Sequence, residues 1–236
     1  MDKGNILDIK GLIMMTKRKY PLEAFPLSVK NYTNLKNRIR NVLTSLNCLS
    51  LEEEERLIFQ QRGIMYPDSW LKEGISGQIW RWTQIYGKRQ KKGIEYWSDK
   101  ALVDYEERIK NGENIKNIYN EDHAVPRNKL ISELLSFSKE DLTEEKLWDY
   151  FVSYNVGVHL LSEEHKNLLH KNDMPPSFNT TRNVWSRYEQ ENFNIVRITW
   201  QGKQIIHKEE MDKHDPSYRP SIIPYYNECK NIIKDL

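Results

Sequence analysis

The chain has 236 residues, with 36 Lys and Arg against 34 Asp and Glu, for a formal net charge of +2. That near balance excludes an all-over basic coat for nucleic acid, though not an enzyme with locally segregated charge. Aromatic residues make up 11% of the chain, including 7 Trp and 13 Tyr, which excludes a disordered polymer despite a mean hydropathy of −0.78. The length suits one large domain, or a core with a helical arm, and it can bury a core without staples.

The first forty residues are basic, with Lys17-Arg18-Lys19, Arg38 and Arg40. From about Leu27 to Leu46, Val29, Leu35, Ile39, Val42, Leu43 and Leu46 recur at helical spacing, which predicts an amphipathic helix. Ser50 is expected to cap a second helix, Leu51 to Phe59, whose first turn is acidic and which ends before Gly63 and Pro67. A helix carrying Trp80, Trp82 and Tyr86 is expected to run into the basic loop Lys88, Arg89, Lys91 and Lys92. A further helix runs from Ser98 to about Lys110 and is closed by Asn111-Gly112.

Ile115–Tyr119 alternates like a strand and leads into Glu121-Asp122-His123-Ala-Val-Pro126. Two helices are expected next, about Lys129–Phe137 and Glu144–Tyr154, the second behind a Thr143 cap. Val156–Leu161 reads as a strand and Ser162–Leu169 as a helix; Met174-Pro175-Pro176 then breaks the chain. Asn183–Asn192 reads as a helix, and Ile195–Trp200 with Gln204–His207 as a hairpin before a C-terminal arm. The fold class expected is α+β and mainly helical. Its divisions are a helical region over 1–112, a core over 113–195, and a hairpin with an arm over 196–236.

Two cysteines, Cys48 and Cys229, make neither a zinc knuckle nor a disulfide framework. No stretch approaches the roughly 20 apolar residues of a membrane span, so a cytoplasmic protein with no membrane partner is expected. A Gly-rich phosphate loop is also missing, which argues against nucleotide-driven chemistry.

Asp122-His123-Ala-Val-Pro126, followed by Asn155 and then His165 on a helix, is the cluster that suits phosphodiester hydrolysis. Asp122 and the neutral imidazole of His165 can supply two ligands to one divalent ion, Mg²⁺ or Mn²⁺, with water and phosphate oxygens completing the shell. His123 is then the general base, since an ordinary imidazole titrates near neutrality. Its second nitrogen needs an acceptor, either Asn155 or a backbone carbonyl.

The D-H-x-x-P signature, the intervening Asn and the helix-borne His resemble the HNH, or ββα-metal, endonuclease superfamily. The resemblance covers roughly Ile115 to Leu169, with a weaker match over Met174 to Ile195. It implies a ββα-metal core with His123 as base, Asp122 and His165 as metal ligands, and Asn155 orienting the base. Small bacterial restriction-type or phage-defence enzymes belong to that superfamily. This sequence departs from it in lacking CxxC pairs and in a long, helical connection from Pro126 to Asn155. His159 is therefore a rival to Asn155, and Glu164 a rival ligand beside His165.

Double-stranded DNA is the expected substrate, cut by an enzyme that is expected to act as a homodimer if it severs both strands symmetrically. Lys88, Arg89, Lys91 and Lys92 are the densest candidate groove, and Arg127, Lys166 and Arg187 are the candidates beside the motif. The rival class is a non-catalytic helical module binding nucleic acid or protein, with an RNA-directed nuclease between the two.

Overall fold

The computed structural model describes residues 29–84, 94, 96–201 and 204–210. Helix α1, Val29–Leu49, buries Leu35, Ile39, Val42 and Leu46, one stripe at spacings of four and three. Helix α2, Glu53–Gln61, follows with acids in its first turn and no buried residue. Ser50 is not its cap: the Ser50 hydroxyl donates back to the Asn47 carbonyl at 2.9 Å, and Glu52 stands at the helix start. Gly63, at φ +68°, terminates it in the left-handed region where Gly carries no steric cost.

Helix α3, Asp68–Thr83, begins after Pro67 and buries Leu71, Ile75, Ile79 and Trp82. A three-residue strand β1, Tyr96–Ser98, is one the sequence pattern did not reveal. Ser98 then caps α4, Asp99–Lys110, accepting from the Ala101 amide at 3.1 Å. Strand β2 is Tyr119–His123, one turn later than the Ile115–Tyr119 run predicts. Pro126 starts α5, Arg127–Leu135, and Thr143 caps α6, Glu144–Tyr154, as expected, accepting from Lys146 N at 3.2 Å.

Strand β3, Gly157–Leu161, passes directly into the short helix α7, Ser162–Asn167. Of the helix expected over 183–192 only the short α9, Ser186–Gln190, forms, and a four-residue α8, Phe178–Thr181, precedes it where no helix is expected. Arg182, at φ +55°, turns the chain between them, and its guanidinium grips both Glu133 carboxylate oxygens at 2.9 and 2.8 Å. Strands β4, Ile195–Gln201, and β5, Gln204–Glu210, form the expected hairpin.

The five strands make one mixed sheet in the order β2-β3-β1-β4-β5. β1 runs parallel to β3, and the other neighbours are antiparallel. The sheet therefore joins all three of the segments divided at 112 and 195, because β1 lies between β3 and β4. Apolar side chains cover both of its faces. Tyr96, Val158 and Leu160 join the larger core under α1, α3, α5 and α6, while Trp97, Val196 and Ile198 join a smaller one under α4. The fold is α+β and mainly helical. Among the described residues no helix is long and apolar enough to cross a membrane.

Candidate active site

The antiparallel pair β2–β3 sets His123 opposite Gly157 and Asp122 opposite Val158, and α7 follows at once. This strand–strand–helix unit brings Asp122 and His165 together: Oδ1 of the acid lies 3.9 Å from Nε2 of the imidazole. Two adjacent ligands of an octahedral ion with bonds of roughly 2.1 Å stand about 3.0 Å apart, so this pair would take one ion after closing by about 1 Å. The donor set, one carboxylate oxygen and one imidazole nitrogen, fits Mg²⁺ or Mn²⁺ with water filling the remaining positions. Among the described residues no group of three or more His, Cys, Asp or Glu assembles.

The other oxygen of Asp122 is fully committed. Oδ2 accepts from Arg187 Nη1 at 3.1 Å and from the Tyr188 hydroxyl at 2.9 Å. Burial and the Asp122 charge push the Tyr188 phenol well above its usual range, which keeps it a neutral donor. Arg187, expected at the DNA surface, is a correction: its side chain has no exposure at all. It also donates to the carbonyls of His123 at 2.7 Å, His170 at 2.5 Å and Lys171 at 3.3 Å. The guanidinium thus ties the segment after α7 to the end of β2 and holds Asp122 with Oδ1 turned to His165. Nothing in a one-dimensional pattern distinguishes such an arginine from a surface one.

His123 is only 4% exposed. It donates a hydrogen bond to the Ile79 carbonyl of α3, and its Nε2 has no hydrogen-bond partner. The ring is therefore the Nδ1–H tautomer, with the Nε2 lone pair unused. Burial first, and then the Arg127 and Arg187 charges, pull its pKa down to about 3. The indole of Trp80 lies against the ring at 5.1 Å between centroids, and the Arg127 guanidinium sits 5.4 Å over that indole while reaching Ser76 Oγ at 3.3 Å.

Asn155 does not orient His123 directly. Its Nδ2 donates at 3.0 Å to the same Ile79 carbonyl that His123 uses, and its Oδ1 is buried without a partner. The acceptor for His123 is thus the backbone carbonyl, the other of the two options the sequence leaves open. Asn155 is the cap that ends α6, so the β3 side of the unit and the ring of the base are pinned to one atom of α3.

Both rivals lie elsewhere. His159 packs its ring on Trp97 at 4.4 Å, on the smaller-core side of β3. Glu164 is buried, and its Oε2 accepts from Ser98 Oγ at 2.5 Å and from the Leu161 amide at 2.9 Å, which ties α7 to the start of α4. Lys166, next to His165 in the chain, and Arg127, whose charge reaches the His123 ring, are exposed. Arg40 is engaged by Glu144 at 2.7 Å, and Arg38 by Gln78 at 3.0 Å. Lys88, Arg89, Lys91 and Lys92, with Lys17–Lys19, lie outside the described residues. Trp80 and Asn120, which the motif reading passes over, are the additional members of the site. No protein-family model, curated protein or solved structure matches the chain.

Proposed function

We propose that the chain is a divalent-metal-dependent endonuclease that hydrolyses DNA phosphodiester bonds, an HNH-type enzyme of a restriction or phage-defence system. The observation that carries the reading is the 3.9 Å approach of Asp122 Oδ1 to His165 Nε2 beside a histidine whose Nε2 lone pair is unused. The order strand β2, strand β3, helix α7 agrees with a ββα-metal core, with α5 and α6 filling the connection between the strands. Asp122 and His165 hold one Mg²⁺ or Mn²⁺. Such an ion, when bound, supplies Lewis-acid stabilisation of charge building on the phosphate.

His123 takes the proton from the attacking water at Nε2, and the Ile79 carbonyl keeps the opposite nitrogen protonated throughout. In the closed arrangement its basicity is very low. A substrate that displaced Trp80 from the ring would relieve that burial and raise the pKa toward the ordinary value of about 6.5, where a base works best at neutral pH. Arg127 and Lys166 are placed to meet the phosphates of a bound strand. A homodimer with two such centres would cut both strands of double-stranded DNA.

Purified protein should nick or linearise supercoiled plasmid with Mg²⁺ or Mn²⁺, and EDTA should stop it. A second reading, a non-catalytic nucleic-acid- or protein-interaction module, draws on the closure of His123 Nε2 beneath Trp80. It predicts binding with no cleavage under any metal, and cleavage of RNA alone would redirect the substrate.

A further inference from the structure

Helix α3 meets two neighbours with two faces. Ile79 and Trp80 meet His123, whereas Gln78 and Arg81, about one turn apart, meet Arg38 of α1. Gln78 Oε1 accepts from Arg38 Nη1 at 3.0 Å, and the Arg81 charge acts on the same guanidinium.

No carboxylate answers this arginine pair among the described residues. Burial first, and then the Arg81 charge, lower the pKa of Arg38, where a neighbouring acid would raise it. The other cations of α1 have one: Glu144 lies 4.0 Å from Lys36 and 2.7 Å from Arg40. Arg81 is exposed and forms no ion pair among the described residues. With Arg38 Nη1 held by Gln78 and Nε buried without a partner, Nη2 is left to take a ligand. Two guanidiniums held together against their repulsion, one of them set by a neutral amide, make a donor fork that wants an anion.

The same helix carries two interior glycines, Gly74 and Gly77, at positions where glycine is unfavourable. A Cβ at either would meet no atom within 4 Å, so packing does not require them. They precede Arg81 by seven and four residues, which sets all three on one side of α3. Bare helix backbone beside a cationic fork suits a thin anionic chain lying in contact with the helix.

We propose that Arg38 and Arg81 clamp one backbone phosphate of a bound nucleic-acid strand, flanking the phosphate at the Asp122–His165 pair. Gln78 presents Arg38, and Gly74 and Gly77 let the strand lie against α3. The clamp rests on the reading of the substrate as nucleic acid, though not on its cleavage.

The test is binding of labelled duplex DNA, and of duplex RNA of the same sequence, to the full chain across a range of salt in EDTA. Arg81→Gln removes an exposed side chain, so the fold stays intact. It should lower the slope of log affinity on log salt by about 0.9, one phosphate contact, whatever the DNA sequence. Adding Arg38→Gln should change the slope little further, because both arginines serve the same phosphate. Arg62→Gln, an exposed arginine before the far end of α3, should leave the slope as it is. Gly77→Leu should raise the thermal midpoint and weaken binding.

An unchanged slope in Arg81→Gln, an equal drop in Arg62→Gln, or a second drop of the same size in the double variant overturns the clamp. Wild-type binding by Gly77→Leu overturns the strand's place on α3. The expected losses on RNA alone uphold the clamp and exchange the substrate. Plasmid cutting by a protein whose slope ignores Arg81 overturns the clamp and leaves the nuclease reading standing. The expected slopes in a protein that cuts nothing with Mg²⁺ or Mn²⁺ uphold the clamp and overturn that reading.

Discussion

His123 and Asn155 are joined through one oxygen, the Ile79 carbonyl, which accepts from both side chains. A residue of α3 thereby fixes the tautomer of the candidate base on β2, and a residue at the end of α6 fixes that carbonyl. Asn155→Ala should cost only about 1 kcal/mol, because it removes a buried acceptor that has no partner along with the donor. Asn155→Asp should cost about 3 kcal/mol, since it sets a buried charge against the carbonyl. Urea denaturation of the two variants checks the order, and equal costs would contradict the shared-carbonyl account.

The depressed pKa of His123 gives the fold a pH dependence of known sign. In the unfolded chain the imidazole takes up a proton below about pH 6.5. In the folded chain it remains neutral down to about pH 3. The unfolded state binds more protons in that window, so stability is full above about pH 6.5 and falls by about 1.4 kcal/mol per pH unit below it. Between pH 7 and 5 the wild type should lose about 2 kcal/mol more than His123→Gln, read from urea midpoints. Parallel losses in the two proteins would mean that His123 is not buried neutral.

Trp80 covers His123, so its removal should be felt at the ring. Trp80→Ala should raise the His123 pKa from about 3 toward the ordinary range by admitting water to Nε2. An NMR titration of the His123 ring reads this directly. A ring that stays neutral to the same pH would place the cause of the depression in Arg127 and Arg187 instead.

The Asp122–Arg187–Tyr188 group is buried and fully paired through Oδ2. Arg187→Ala leaves a buried carboxylate short of its cation, and its loss should cost about 3–5 kcal/mol. Tyr188→Phe deletes one hydrogen bond to a charged group and should cost about 1.5–3 kcal/mol. Thermal denaturation ranks them, and Mn²⁺ affinity should fall in the phenylalanine variant as Asp122 loses its orientation. An arginine variant as stable as the wild type would return Arg187 to the surface role its position in the motif suggests.

Elements with strong local signals are legible in the sequence. Thr143 and Ser98 cap the helices they precede, and the stripe Leu35, Ile39, Val42, Leu46 is buried along α1. Strand β1 was not legible, because Tyr96, Trp97 and Ser98 are all buried, with Tyr96 and Trp97 joining opposite cores, so three residues carry no alternation. Ser50 misled because a serine before an acidic turn satisfies the capping pattern whether or not its side chain turns forward.

Within the site, Asp122, His123 and His165 follow from residue type and order. The Ile79 carbonyl, Trp80 and the burial of Arg187 depend on how α3 and α9 pack against β2, which no local spacing encodes. Gly157 illustrates the same limit. A Cβ there would lie 2.9 Å from Thr83 Cβ at the end of α3, a close approach invisible in the run Val156-Gly-Val.

Cleavage of supercoiled plasmid by wild type and His123→Ala, with binding of the same DNA measured in parallel, tests the central claim most directly. With Mg²⁺ or Mn²⁺ the wild type should cut. The alanine variant should bind within about threefold of it and cut at least about a hundredfold more slowly, the lower range for loss of a general base. Cutting by His123→Ala at the wild-type rate, or no metal-dependent cutting by the wild type, would contradict the account.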